Sequence, residues 1–329
     1  MESAMKAFLA TVTATLISLS PAAATEFRFA TPAEAAAILI TEDDFLTRLR
    51  PAEIGVRMMS ADKTSLSDLK AQYAASTLTW TDEEKAFWSQ VFDRHASSID
   101  KYTPLTAQEI IFIKGDDRID SGMPHTRGDA IIFSQNFLDG LAKSKNRDED
   151  AAYFFLHEYF HVLTRRQADR HDEMFALIGY RPCAFKAPAE LDALHLTNPD
   201  APVDRHYVPA NIEGADGVIP YLYVDKGGWS AEKGGGLNKY FNFGLLAVDV
   251  KNGACSADLD ASGEPRLLNP DDVPDFFNAV GKNTEYITHP AETLADTFYL
   301  LVSGKEGLPN PEIVKGLSDW LDEAIAHVK

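Results

Sequence analysis

Asp150-Ala151-Ala152-Tyr153-Phe154-Phe155-Leu156-His157-Glu158-Tyr159-Phe160-His161-Val162-Leu163-Thr164 decides how the rest of this chain is read. The stretch has no Gly or Pro and is mostly apolar, which predicts a helix buried on most of its surface. Asp148, Glu149 and Asp150 stand at its start and Arg165 and Arg166 at its end, each opposite in sign to the helix terminus beside it. His157 and His161 are four apart, so a helix sets them one turn apart on a single face. Two imidazoles so placed reach one zinc ion at about 2.0–2.1 Å. Glu158 adjoins the first of them, where a general base for a metal-activated water belongs. The competing reading is a pair of hydrogen-bonded core histidines beside a buried Glu.

A catalytic zinc takes three protein ligands and keeps one position open. A metzincin continuation needs Gly three residues after His161 and His six after it; Thr164 and Gln167 stand there instead. His171 is near but off that spacing. The better third ligand is Glu292, within His289-Pro290-Ala291-Glu292-Thr293-Leu294-Ala295-Asp296. Pro290 starts a helix, so Glu292 and Asp296 share a face. One carboxylate can then bind the metal while the other accepts the free N–H of a ligating imidazole and fixes its tautomer. The alternative is a solvated helix face with no metal role.

The pair His157-Glu158-x-x-His161 and Glu292-x-x-x-Asp296 resembles the two-helix signature of the gluzincin metallopeptidases. The surrounding sequence looks like exported bacterial proteins that carry the same motif pair. The resemblance implies His157, His161 and Glu292 as ligands of one catalytic zinc, Glu158 as base and Asp296 as the carboxylate behind His157. It further implies an α+β, zincin-like fold, with a small twisted sheet over the active helix and an edge strand that aligns an extended substrate. Residues 131–134, just before the active helix, are the candidate edge strand. The chain departs from the thermolysin-like members in two ways. About 130 residues separate His161 from Glu292, and no Asn precedes that Glu. Residues 180–285 therefore form a large insertion between the motif helices, as a lid or one wall of the cleft.

Peptide hydrolysis also needs a donor to the oxyanion. Tyr223 and Tyr299 are the first candidates, with Tyr221 and His206-Tyr207 behind them; each is also an ordinary core residue. His289 either lines the site or starts the second motif helix. The expected function is zinc-dependent hydrolysis of a peptide or protein substrate. Two alternatives stay open: a zincin-like binding or inhibitor module without turnover, and a zinc hydrolase acting on a non-peptide amide.

Residues 1–24 read as a secretory signal peptide, with Lys6, the apolar run from Ala7 to Leu19, and small residues before a cut after Ala24. Met5 is an alternative start, and a membrane anchor the competing reading. Export to the periplasm or the medium is expected, with no membrane insertion after cleavage. Removing residues 1–24 takes away only Glu2 and Lys6, so the mature chain keeps the net charge of −19, which disfavours nucleic-acid backbones and anionic lipid as partners. Export permits a disulfide between Cys183 and Cys255, while nothing in their spacing establishes it.

The remaining chain divides into an N-terminal helical and sheet region, 25–145, and the zinc-binding region, 146–329. Thr31-Pro32 opens a helix that runs toward Leu49 and is broken by Pro51. Thr81 and Glu84 make a capping box for a second helix, whose Phe87, Trp88, Val91 and Phe92 form an apolar stripe. Strands are expected at 110–113, 130–133, 218–224 and 241–250, and a final helical pair at 290–303 and 311–327.

Overall fold

Strands β1 (Glu26–Phe29), β2 (Glu109–Gly115), β3 (His125–Arg127) and β4 (Ala130–Ser134) form a sheet of spatial order β1-β2-β4-β3 in a computed structural model that describes residues 25–328. The signal peptide expected at 1–24 lies outside the described residues. β1, β2 and β4 run parallel, and β3 is the antiparallel edge. The edge role expected of 131–134 thus passes to β3, because Gly128, at φ +58°, reverses the chain between the two strands. β4 becomes an inner strand, which suits its fully buried Ala-Ile-Ile-Phe-Ser sequence.

Alternation along the strands divides the sheet into two faces. Ile110, Phe112, Ile131 and Phe133 face the main core, shared with the active helix and with Trp88. Ile113, Ala130 and Ile132 face the other way, against Leu39, Leu69 and Tyr73 of the N-terminal helices. The Thr31 and Thr81 capping boxes both form. The first helix stops at Ile40, short of the expected Leu49, and Pro51 begins a new helix, Pro51–Arg57, where its missing N–H costs nothing.

The active helix, Arg147–Arg165, is buried continuously from Phe155 to Thr164. The second motif helix, Pro290–Ser303, packs against it and stops at Gly304, whose left-handed φ of +63° closes the last turn. The helix Pro311–Val328 follows. The main core takes residues from both sides of position 145, so one packed interior supports both motif helices.

The insertion builds its own sheet from β5 (Arg181–Pro182), β6 (Ala184–Phe185), β7 (His206–Ile212), β8 (Ala215–Val224), β9 (Phe241–Lys251) and β10 (Ala254–Ala257), with β11 (Leu267–Leu268) beside β9. β8 and β9 extend the two strands expected there. Cys183 and Cys255 are disulfide-bonded, with Cα atoms 5.6 Å apart. The bond joins a small satellite core of Leu191, Ile219, Tyr221, Leu246 and Val248. Among the described residues no helix is long and apolar enough to cross a membrane.

Candidate metal centre

His157 and His161 project from the active helix toward Glu292 of the second motif helix. His157 Nε2 lies 3.0 Å from Glu292 Oε2, His161 Nε2 lies 3.3 Å from the same oxygen, and the two Nε2 atoms are 3.1 Å apart. Three ligands about 2.0–2.1 Å from one tetrahedral zinc would stand about 3.3 Å from one another. The donor set therefore has the right chemistry and nearly the right spacing for that ion.

The proton inventory supports the same fit. Asp296 Oδ1 lies 2.8 Å from His157 Nδ1, and an ionised carboxylate only accepts, so the imidazole donates through Nδ1. A neutral His157 then turns the lone pair of Nε2 toward a carboxylate oxygen, an arrangement that calls for a cation or a proton between them. Burial would lower the His157 pKa, but Asp296 and Glu292 hold it well above the ordinary imidazole value. Burial would raise Glu292, and the paired imidazoles of His161 and His157 hold it well below the carboxylate range. The Asp296 carboxylate is fixed in turn by Tyr153, whose hydroxyl donates to Oδ1 at 2.7 Å, and by Thr284.

Glu158 is 3% exposed and its Oε2 has no hydrogen-bond partner. Burial raises its pKa well above the ordinary value, and the charge of Asp200 raises it further. Glu158, His161 and Asp200 each bring one ligand-type atom within 4.8 Å of the others, a second grouping that shares His161 with the first. A neutral core pair of histidines would not need four carboxylates gathered around it.

The other candidates fall elsewhere. His171 Nε2 hydrogen-bonds the Thr164 carbonyl at 2.9 Å, which makes it a cap for the active helix. Tyr223 bridges to His195 and packs with the satellite core of the insertion, as does Tyr221. His206 pairs with Asp172 at 2.7 Å. Tyr299 sits edge-on to Tyr153, with ring centroids 5.2 Å apart, toward Glu149 and Asp150 at the start of the active helix. The oxyanion role expected of Tyr223 and Tyr299 does not fit these positions, because β8 carries the first away into the insertion and the second lies behind Asp296. His289 caps the second motif helix, its Nδ1 accepting the Ala291 N–H at 3.1 Å.

Besides Tyr153, the tyrosine at the cluster is Tyr286, which is 40% exposed while its hydroxyl points inward. Its ring stacks on His157 with centroids 5.6 Å apart and planes 7° from parallel. Burial of the hydroxyl, then the charges of Glu292, Asp200 and Glu158, push its pKa well above that of free tyrosine, so it remains a donor. Its signal in the sequence is its place six residues before Glu292, on the chain's approach to the second motif helix. Asn198 and Asp200, from the insertion, are the other unforeseen neighbours. Asn198 Nδ2 donates to Glu292 Oε1 at 2.6 Å, and Asp200 Oδ1 accepts from both N–H and Oγ1 of Thr126 on β3, each at 2.6 Å. No family model, curated protein or solved structure matches this chain.

Proposed function

We propose that this chain is a single-zinc metallopeptidase of the gluzincin type on an α+β, zincin-like fold, acting outside the cytoplasm on a peptide or protein. The observation that carries the reading is the convergence of His157 Nε2, His161 Nε2 and Glu292 Oε2 to 3.0–3.3 Å beside an unpartnered Glu158 carboxylate. A sheet with an antiparallel edge strand next to the active helix agrees with the fold proposed, and the Cys183–Cys255 disulfide with an oxidising compartment.

His157, His161 and Glu292 would hold the ion, which when bound supplies Lewis-acid polarisation of a carbonyl and acidifies water. Asp296 fixes the His157 tautomer and keeps Nε2 free for binding. Glu158 accepts a proton from the attacking water and returns it to the leaving amine. Tyr286, protonated and beside His157, donates to the oxygen that gains charge as the carbonyl is attacked. Asn198 holds the outer oxygen of Glu292 and so limits that carboxylate's rotation.

Metal analysis of the purified chain, beside Glu292→Ala and Glu158→Gln variants, tests the assignment, with cleavage of an unfolded protein as the second readout. The expected result is one zinc per chain, lost by Glu292→Ala and kept by an inactive Glu158→Gln. Full zinc retention by Glu292→Ala would refute the ligand set. A second reading, metal binding without turnover, draws on the depth of the cluster, since Glu292 and His161 are 0% and 1% exposed. Zinc bound as expected with no cleavage under any condition would favour it.

A further inference from the structure

We propose that residues 198–203 are an internal strap lying in the substrate channel of this metal centre, with Asp200 occupying its free side, so that the fold described is a closed form that opens by withdrawal of the strap. The inference rests on the metallopeptidase reading.

Burial, contacts and cavities carry it together. The side chains that would bind metal and activate water are between 0% and 4% exposed, whereas a catalytic metal needs a position open to solvent and substrate. Besides Tyr286, stacked on His157, the covering residues come from the strap: Asn198 donates to Glu292, and the Asp200 carboxylate lies within 4.8 Å of the ligand-type atoms of Glu158 and His161. The Glu158 oxygen left without a partner is buried and belongs to the carboxylate beside Asp200.

Asp200 also takes the position on β3 that an extended peptide would use. The inner side of β3 pairs with β4, and the Thr126 N–H points outward, where the next strand's carbonyl would accept it. A side-chain carboxylate accepts it instead, at 2.6 Å, and also takes the Thr126 hydroxyl. From the active helix, Arg165 holds β3 in place through Thr126 Oγ1 at 2.7 Å and the Gly128 carbonyl at 2.6 Å.

Two cavities, each of about 360 Å³, flank the strap, and Pro199 and Asp200 line both. One contains His125 and the other Arg127 and Gly128, so they lie at opposite ends of β3. With the strap withdrawn they join into a trough along that edge. The first end is walled by Met123, Leu196, Leu222 and Phe241, which suits an apolar side chain of the substrate.

The strap is tied down at its two ends. Before it, Thr197 N and Oγ1 both donate to Glu53 at 2.9 Å; after it, Asp204 pairs with His195 at 2.9 Å. Between these anchors the contacts to the site are mainly polar, with Ala201 alone packing on the main core. Polar contacts exchange readily for water or for a peptide backbone, which permits the middle to swing while the ends stay fixed.

The test uses the full mature chain loaded with Co²⁺ in place of zinc, titrated with acetohydroxamate while the visible d–d spectrum is followed. The rate at which a chelator strips the metal is measured in parallel. The Asn198→Ala/Asp200→Ala double variant should bind acetohydroxamate at least about tenfold more tightly and lose cobalt at least about tenfold faster, as expected when charge-assisted contacts that close the site are removed. Asp200→Asn, which keeps the side chain's size, should move both quantities in the same direction by a smaller factor. Equal hydroxamate affinity and equal stripping rates in wild type and both variants, at one cobalt per chain, would overturn the strap. Failure of all three proteins to bind cobalt would overturn the metal reading and the strap with it. Tighter hydroxamate binding by the variants without cleavage of an unfolded protein would support the strap and count against peptidase function.

Discussion

Replacing His289 by Asn asks how firmly the second motif helix is set in place. The His289 ring is 7% exposed, and its Nδ1 caps the helix that carries Glu292 and Asp296. The ring also engages the backbone of Val203, at the end of the strap. Burial lowers its pKa to about 4, against the opposing pull of the Asp204 and Glu292 charges. The unfolded chain therefore takes up the proton first on acidification. Stability from this residue is complete above the unfolded value of about 6.5 and declines as the pH falls toward the folded value. The interval between the two values corresponds to about 3 kcal/mol in total, of which about 2.5 kcal/mol is lost by pH 4.5. Asn keeps an N-cap acceptor and does not titrate, so packing losses in His289→Asn are the same at every pH. Urea unfolding of both proteins in chelator, at about pH 7.5 and pH 4.5, gives the quantity required. The stability gap between wild type and variant should shift by about 2–3 kcal/mol in the variant's favour at the lower pH. A gap that stays within about 0.5 kcal/mol would show that His289 is not held neutral by burial, and the reasoning would fall.

Asp296→Ala removes the acceptor for His157 Nδ1 and should weaken zinc binding about ten- to a hundredfold in competition with a chromophoric chelator, while one zinc still binds at saturation. Tyr286→Phe should lower kcat by about 10²–10³ with zinc content unchanged, whereas Tyr223→Phe and Tyr299→Phe should leave kcat within about twofold. If Tyr299→Phe proves the damaging change, the placement of the oxyanion donor is wrong. Reducing the Cys183–Cys255 bond, which closes a separation of 72 residues, should cost about 4 kcal/mol of chain-entropy stabilisation in denaturant unfolding. A loss confined to the insertion, with the motif helices still folded, would show instead that the two parts unfold separately.

The candidate metal cluster was legible because its geometry is helical and local. Four-residue spacing sets His157 and His161 on one face without reference to the rest of the chain, and the same holds for Glu292 and Asp296. That the two helices meet is a tertiary fact, anticipated through the motif resemblance and not through the spacing. The residues missed, Asn198, Asp200 and Tyr286, stand on loops, where no period relates sequence position to direction. Tyr223 and Tyr299 were drawn from regular elements, and that regularity carried them away from the cluster. The edge strand was displaced by one because the turn at Gly128 adds a short strand, 125–127, where none is expected from the sequence. Pro51 was read as a stop when its neighbours allowed it to be a start; both use the same missing N–H.

The insertion has a consequence for how such a protein can change over time. Its two ends return to helices that are packed together, but Val208, Val218, Leu245 and Phe276 belong to the main core, so it is a long connection partly built into that core. For a flexible loop the closure cost grows only logarithmically, by about 0.6 kcal/mol for each doubling in length, so length alone is a small cost beside what this segment buries. The cystine and the satellite core around Ile219, Tyr221, Leu246 and Val248 offset such a cost from within the insertion. The part around the cystine is therefore the freer one to change, while Val208, Val218, Leu245 and Phe276 tie the insertion to the interior that sets the two motif helices.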